Sequence, residues 1–395
     1  MSSDRSQLSA LQLVFALNAV GLAVWFPRIP DVKEALGLDV LQLSFALFGL
    51  PAGTMVGFFV VGRLTRWIGL KATCIWGGAV FLLSFIGPAL ATGLPLLAFA
   101  LFVCGLTIAS IEVAMNAKAS QMERVLDRRI MTRCHAFWSF GAVTGALLGG
   151  AFAQAGVSFL TQQVILQILF AAMSIHFARR LISDEASEPD GPGTERRRFV
   201  WPEKSLLMLC LVPIGALMIE GAMMEWSALL LRGNLGAAPF AAGMTFAVFA
   251  LAMALTRFAG DALAERFGPT KVMISSGLLM MVGFATFGLS PHLAVSVPAA
   301  VLTGIGCANI YPLAMSMVGR LPGRRPESNV TTLALIAFVA FLIGPPAIGV
   351  MASLVGLPVA LAVLAPLGLV PAIILGRRGL VTAPASRRSD GDQPQ

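Results

Sequence analysis

Charge is scarce in this chain. Of 395 residues, 12% are Asp, Glu, Lys or Arg and 57% are hydrophobic, whereas soluble domains carry about 25% charged residues. Too little polar surface remains for a water-soluble protein of this size. Paired cysteines are lacking too. Cys74, Cys104, Cys134, Cys210 and Cys307 are far apart and form no C-x-x-C pair, so neither a disulfide framework nor a metal site is expected. There are three histidines (His135, His176, His292) and one tyrosine, too few to cluster for hydrolytic or metal chemistry, and an enzyme is not expected. No G-x-x-x-x-G-K-[ST] loop exists, so direct drive by ATP is excluded. No cofactor is called for. The first apolar run ends in Phe-Pro-Arg-Ile-Pro without a small-residue cleavage site, which reads as a retained span.

What is abundant is apolar stretches of spanning length. About 20 apolar residues cross some 30 Å of hydrocarbon as a helix. The pattern places spans at 8–27, 41–61, 72–91, 95–117, 135–154, 160–178, 205–230, 239–259, 271–290, 296–318, 329–350 and 356–376. The net charge of +8 sits in the gaps, in every second one. With both termini on the cytoplasmic side, 24 of the 28 Lys and Arg fall in inner segments and three (Arg28, Lys33, Arg232) in outer ones. Positive charge is retained on the cytoplasmic side during insertion. The expected protein is therefore an all-α, multi-pass protein of the inner membrane. Its basic residues report topology rather than nucleic-acid binding, and its surroundings are the lipid bilayer.

The gap from Ser183 to Lys204 is polar and rich in Pro and Gly, and it reads as a cytoplasmic linker. It separates a six-helix half (1–182) from a second half with a short cytoplasmic tail (205–395). The halves echo one another at a spacing of 199 residues: Leu36-Gly37 with Leu235-Gly236, Gly69 with Gly268, Gly105 with Gly304 and Gly145 with Gly344. A small slip pairs Trp25 with Trp226. Such duplication marks transporters built from parallel halves around a central cavity.

The loop Gly62-Arg-Leu-Thr-Arg66-Trp-Ile-Gly69-Leu-Lys71 resembles the G-x-L-a-D-r-x-G-r-k loop of the major facilitator superfamily, with Arg66 in place of the usual Asp. The loop ending Leu263-Ala-Glu265-Arg266-Phe-Gly268-Pro-Thr-Lys271 is similar and keeps an acid. In that family the loop forms a charge latch, which makes Glu265 a gating candidate. Finer features resemble the YbjJ/MosC-like branch: Trp25-Phe-Pro-Arg28-Ile-Pro-Asp31, Glu112-Val-Ala-Met-Asn116, His135-Ala-Phe-Trp138-Ser, Glu220-Gly-Ala-Met-Met-Glu225-Trp226-Ser and Gly344-Pro-Pro346. The Glu-x-x-x-Asn pattern also resembles fucose-type sugar/proton symporters, although the first span here carries Asn18 and no acid. The resemblance implies twelve transmembrane helices in two pseudo-symmetric halves and secondary transport by alternating access.

An ionisable group inside a span is costly and is a functional candidate by default. Glu112 and Glu220 are the candidate proton carriers, because burial disfavours a charged carboxyl and allows it to take up and release protons. Asn116 lies four residues after Glu112, on the same face. Asn18, Trp25, Asn116, Asn309 and Tyr311 are the candidate substrate contacts; under the 199-residue offset Tyr311 answers Glu112. Pro312 leaves the carbonyl of Ala308 without a helical donor. Glu225 is expected near the outer boundary as a gate partner for Arg28 or Arg232. Arg257 and Asp261, four apart, are expected to pair along one helix and are gating candidates. His135 is read as a cap or interface contact, with pH sensing as the alternative.

These observations point to a secondary transporter, expected to be a monomer, that moves a small polar solute such as a sugar or polyol and is coupled to protons. The alternative is proton-driven efflux of lipophilic compounds, for which the Gly-rich run Gly141 to Gly150 is weak support. A non-transporting sensor or a membrane enzyme is the remote alternative.

Overall fold

The computed structural model describes residues 2–126, 130–183, 203–321 and 326–376, and among them every regular element is helical. Twelve helices are long and apolar enough to cross a bilayer. They are α1 (Ser6–Ala35), α2 (Val40–Ile68), α3 (Leu70–Leu90), α4 (Leu94–Leu126), α5 (Arg133–Gln154), α6 (Phe159–Ala178), α7 (Lys204–Leu235), α8 (Pro239–Phe258), α9 (Pro269–Gly288), α10 (Leu293–Gly319), α11 (Asn329–Val355) and α12 (Leu357–Leu375). Hydrocarbon offers backbone amides no water, so a chain this apolar satisfies them within helices.

Number and order match the sequence reading, but α1, α2, α4 and α7 run to 30, 29, 33 and 32 residues. Helical turns continue past the apolar stretch; α4 carries on through Lys118 and Arg124, which hydropathy alone reads as loop. Of the expected linker, residues 184–202 lie outside the described residues, and Lys204 already belongs to α7.

Prolines set the breaks. α1 stops at Ala23, turns through a 3₁₀ segment Phe26–Arg28 around Pro27 and resumes at Ile29. α10 is interrupted at Ala308 and Asn309, ahead of Pro312. α11 carries Pro345 and Pro346 in its interior. A helix-interior proline removes one amide donor and bends the helix.

The 199-residue repeat is a repeat of contacts. A Cβ on Gly105 would lie 1.9 Å from the carbonyl oxygen of Leu50 and 2.8 Å from the nitrogen of Thr54; one on Gly304 would lie 2.4 Å from the oxygen of Phe249 and 3.2 Å from the nitrogen of Met253. Each partner in the second half is the first-half partner plus 199. The same glycine therefore lets α4 touch α2 and α10 touch α8, since only a residue without a side chain permits backbones so close. The loop glycines repeat as well, with φ of 60° at Gly37 and Gly236, 87° at Gly69 and 84° at Gly268, a region that favours glycine.

The halves meet along two seams that obey the same relation. On one, a Cβ on Gly150 would lie 3.1 Å from the oxygen of Pro239 and 3.4 Å from Gly243. On the other, a Cβ on Gly349 would collide with Ser44. Gly349 is Gly150 plus 199, and Gly243 is Ser44 plus 199, so the α5–α8 and α2–α11 seams are pseudo-symmetric mates. Both lie at the ends of the spans remote from where α1 begins and α12 ends. That remote side is the distal face, and the side holding the start of α1 and the end of α12 is the terminal face.

Candidate functional site

The distal face is closed by charge as well as by packing. Arg28, 4% exposed, reaches Asp31 through Nε at 2.5 Å, donates from Nη1 to Oε1 of Gln162 at 2.7 Å and from Nη2 to the carbonyl of Val157 at 3.0 Å. Arg232 of α7, in the other half, places Nη1 2.5 Å from the second oxygen of Asp31. One carboxylate thus joins two arginines across the interface between halves. Removing one partner of such a pair is costly, because it strands the other charge away from water.

Asp31 was not singled out as a site residue by sequence reasoning. The signal was there: it sits three residues past Arg28, and six past Trp25 as Arg232 sits six past Trp226. Glu225, expected to meet one of these arginines, meets neither, because Asp31 already takes both. It lies seven residues below Arg232, about 10 Å down the helix at 1.5 Å per residue, and faces α11.

Between the halves, from the middle of the spans toward the terminal face, lies a second group of polar residues. Glu112 is exposed yet sits 14 residues before the end of α4, about 21 Å inside the helix. Tyr311 of the opposite half lies within electrostatic reach of both Glu112 and Glu220. Asn116 donates from Nδ2 to the main-chain oxygen of Glu112 at 2.8 Å. His135 is exposed, stacks edge-on against Phe15 with centroids 5.6 Å apart, and lies within electrostatic reach of Arg257. Arg257 and Glu220 approach to 3.7 Å, with side chains 37% and 19% exposed.

Arg257 also donates from Nε to the carbonyl of Ala308 at 3.2 Å. That is the carbonyl Pro312 deprives of a helical donor, so the acceptor expected from the sequence is present and a cation occupies it. The expected pairing of Arg257 with Asp261 is not formed. α8 ends at Phe258 and a separate short helix, Gly260–Phe267, begins after Ala259; the break takes Asp261 off the face that Arg257 uses. Asp261 and Glu265 are exposed on that short helix.

Three expected substrate contacts are buried inside a half instead. Asn18 is fully buried; its Nδ2 donates to the carbonyl of Val14 at 2.7 Å and its Oδ1 lies against Gly78 of α3. Trp25 is 1% exposed, with its ring 5.6 Å from Phe159 of α6. Asn309, 3% exposed, fills the space beside Gly260. These helices are apolar on every side, so the sequence carries no phase to tell cleft from core. Asn116 and Tyr311, half-buried at the cleft, are the two expected contacts that remain there.

Twelve spanning helices in two pseudo-symmetric halves, sealed at one face around a polar cleft, define a multi-pass membrane protein of the transporter class. The profile of the Major Facilitator Superfamily matches residues 11–230 and 214–394, and the chain belongs to that family. It is 29% identical to an uncharacterised transporter of this type from Yersinia pestis over 90% of this chain and 91% of that one. It is 31% identical to an uncharacterised transporter from Sinorhizobium fredii over 86% and 89%. It is 26% identical to the membrane protein MosC of Rhizobium meliloti over 92% and 88%, which places it in the MosC-like group. Among solved structures it resembles the nucleoside transporter NupG (TM-score 0.74, 12% identity, 94% of this chain and 99% of that one) and a D-xylose–proton symporter (TM-score 0.70, 14% identity, 94% and 97%). It also resembles the Escherichia coli fucose:proton symporter (TM-score 0.59, 18% identity, 93% and 97%). At these identities the likeness is one of fold.

Proposed function

We propose that this protein carries a small polar solute, sugar- or polyol-like, across the cytoplasmic membrane by alternating access, coupled to proton flow through Glu112 and Glu220. The carrying observation is the cross-cleft group. Glu112 of one half and Glu220 of the other both lie within electrostatic reach of Tyr311, on the terminal-face side of the sealed distal seams. A proton arriving from the open side forms an O–H bond on a carboxylate and removes one negative charge. On Glu220 this releases the attraction to Arg257, which stays anchored by the Ala308 carbonyl. A neutral solute with several hydroxyls suits such a group, since Tyr311, Asn116 and the carboxylates supply both donors and acceptors. The excess of Lys and Arg in the segments at the terminal face favours the cytoplasm for that face, which makes the sealed distal face the outer one in this reading. Two relatives in fold, the xylose and fucose symporters, are proton-coupled sugar carriers by name, which favours the same class here.

The test is proton movement in proteoliposomes with an internal pH dye, across sugars, polyols, amines and hydrophobic cations, for the wild type and Glu112→Gln. A polyol or sugar that drives proton flux in the wild type and not in the variant is the expected result. Equal solute movement in both with no proton flux overturns the coupling, and flux driven only by hydrophobic cations replaces the solute class with that of an efflux antiporter.

A further inference from the structure

Within the second half, α7 and α11 do not close against one another. A pocket between them is lined by Leu217, Gly221, Glu225, Ala340, Gly344 and Ile348, together with the ring of Phe341 and with Pro345. Glu225 is the sole ionisable group in it. Among the described residues no hydrogen bond or ion pair engages its carboxylate. The charged groups on the surrounding elements are committed elsewhere: Arg257 of α8 to Glu220, Arg28 of α1 to Asp31, and Asp31 also to Arg232. α11 and α12 carry no ionisable residue in their spans, and Tyr311 of α10 faces Glu112 and Glu220.

The opposite wall supplies what such a group lacks. Pro345 has no amide hydrogen, so the main-chain carbonyl of Phe341, four residues earlier, has no donor in its own helix; Pro346 does the same for Leu342. The carboxylate of Glu225 and the carbonyl of Phe341, both on residues that line this apolar pocket, are acceptors alone, and an unmet acceptor in apolar surroundings is costly. A single proton resolves both deficits, by forming an O–H on Glu225 that donates to a freed carbonyl. A sodium ion fits less well. It takes several oxygen ligands at once, and α7 has no proline between Ile214 and Leu235 to release carbonyls of its own.

We propose that Glu225 is a proton-binding site, holding its proton in a hydrogen bond to the carbonyl of Phe341 that Pro345 leaves open, so that protonation ties α7 to α11 and deprotonation unties them. This role is separate from that of Glu112 and Glu220 and does not rest on it.

The test is infrared difference spectroscopy on the purified full-length protein in lipid, with no solute, titrated across the neutral range in choline chloride. The expected result is a protonated-carboxyl band in the wild type that is lost in Glu225→Gln and retained in Glu112→Gln. In Pro345→Ala, which returns an amide donor to Phe341, the band shifts to the higher frequency of a less strongly bonded carboxyl. If Glu225→Gln fails to fold, the Pro345→Ala shift alone decides the matter. A band unchanged in both variants overturns the proposal. So does a carboxylate band that moves when sodium replaces choline, because Glu225 is then ionised and holds the metal ion. Since no solute is present, failure here leaves the cleft reading standing, and failure of transport through Glu112 leaves this one standing.

Discussion

The pair α1–α5 and the pair α7–α11 occupy corresponding places in the two halves, and they are packed in opposite ways. In the first half, three glycines press α5 onto the backbone of α1. A Cβ on Gly141 would lie 2.3 Å from the oxygen of Ala16, on Gly145 2.5 Å from that of Val20, and on Gly149 2.7 Å from that of Val24. Adding 199 to those glycines gives Ala340, Gly344 and Ile348; counting from the tryptophan pair, Ala16, Val20 and Val24 become Leu217, Gly221 and Glu225. All six line the α7–α11 pocket. Where Gly141 and Gly149 became Ala340 and Ile348 the helices are held apart, a Cβ on Gly344 meets no atom within 4 Å, and a carboxylate stands where the first half has a valine. The same interface thus closes into a rigid pair on one side and opens into a pocket with an acid on the other. The Gly-rich run of α5 supplies this close packing.

The largest effect is expected at Asp31, which joins α1 of one pair to α7 of the other. Asp31→Ala leaves Arg28, 4% exposed, facing Arg232 with no carboxylate between them. Breaking a buried ion pair costs about 3–5 kcal/mol. The loss falls on the distal-closed conformation, so a cysteine introduced beside the distal seams should be labelled from the distal face much faster than in wild type. Unchanged labelling would mean that the glycine seams alone hold this face shut.

Much of this architecture was legible in the sequence, because it depends on quantities a sequence displays directly. Span length, the alternation of Lys and Arg, and glycines spaced 199 apart gave twelve helices, two halves and the contacts repeated between them. Pro312 announced the free carbonyl at Ala308 by chemistry alone. What stayed hidden was rotational phase. Asn18, Trp25 and Asn309 sit in helices that are apolar all round, and whether such a residue meets lipid, core or cleft depends on helix tilt and on breaks such as that at Pro27. Long-range pairing was hidden for the same reason. Asp261 was the nearer acid to Arg257 along the chain, but a helix break at Ala259 gave that arginine to Glu220, 37 positions earlier in sequence.

A middle-sized effect is expected within the tight pair. Gly145→Ala places a methyl 2.5 Å from the oxygen of Val20 and 2.8 Å from the Cβ of Ala23, so the backbones of α1 and α5 must separate. Overpacking of this kind costs about 1–3 kcal/mol. Thermal unfolding in detergent should fall clearly below wild type, and Gly145→Leu should fail to give a monodisperse protein.

The smallest effect is expected at the mate of that position, and it is the sharpest check on the comparison. Gly344→Ala adds its methyl to open space, so no helix has to move. Removing a glycine from a helix interior gains about 0.5–1 kcal/mol. Gly344, however, directly precedes Pro345, and a Cβ before proline crowds the helical conformation, which offsets that gain. The two contributions should leave Gly344→Ala within about 1 kcal/mol of wild type, while the same substitution 199 residues earlier is plainly destabilising. If both alanines destabilise to the same degree, α7 and α11 close as tightly as α1 and α5, and the pocket around Glu225 is not a stable feature of the protein.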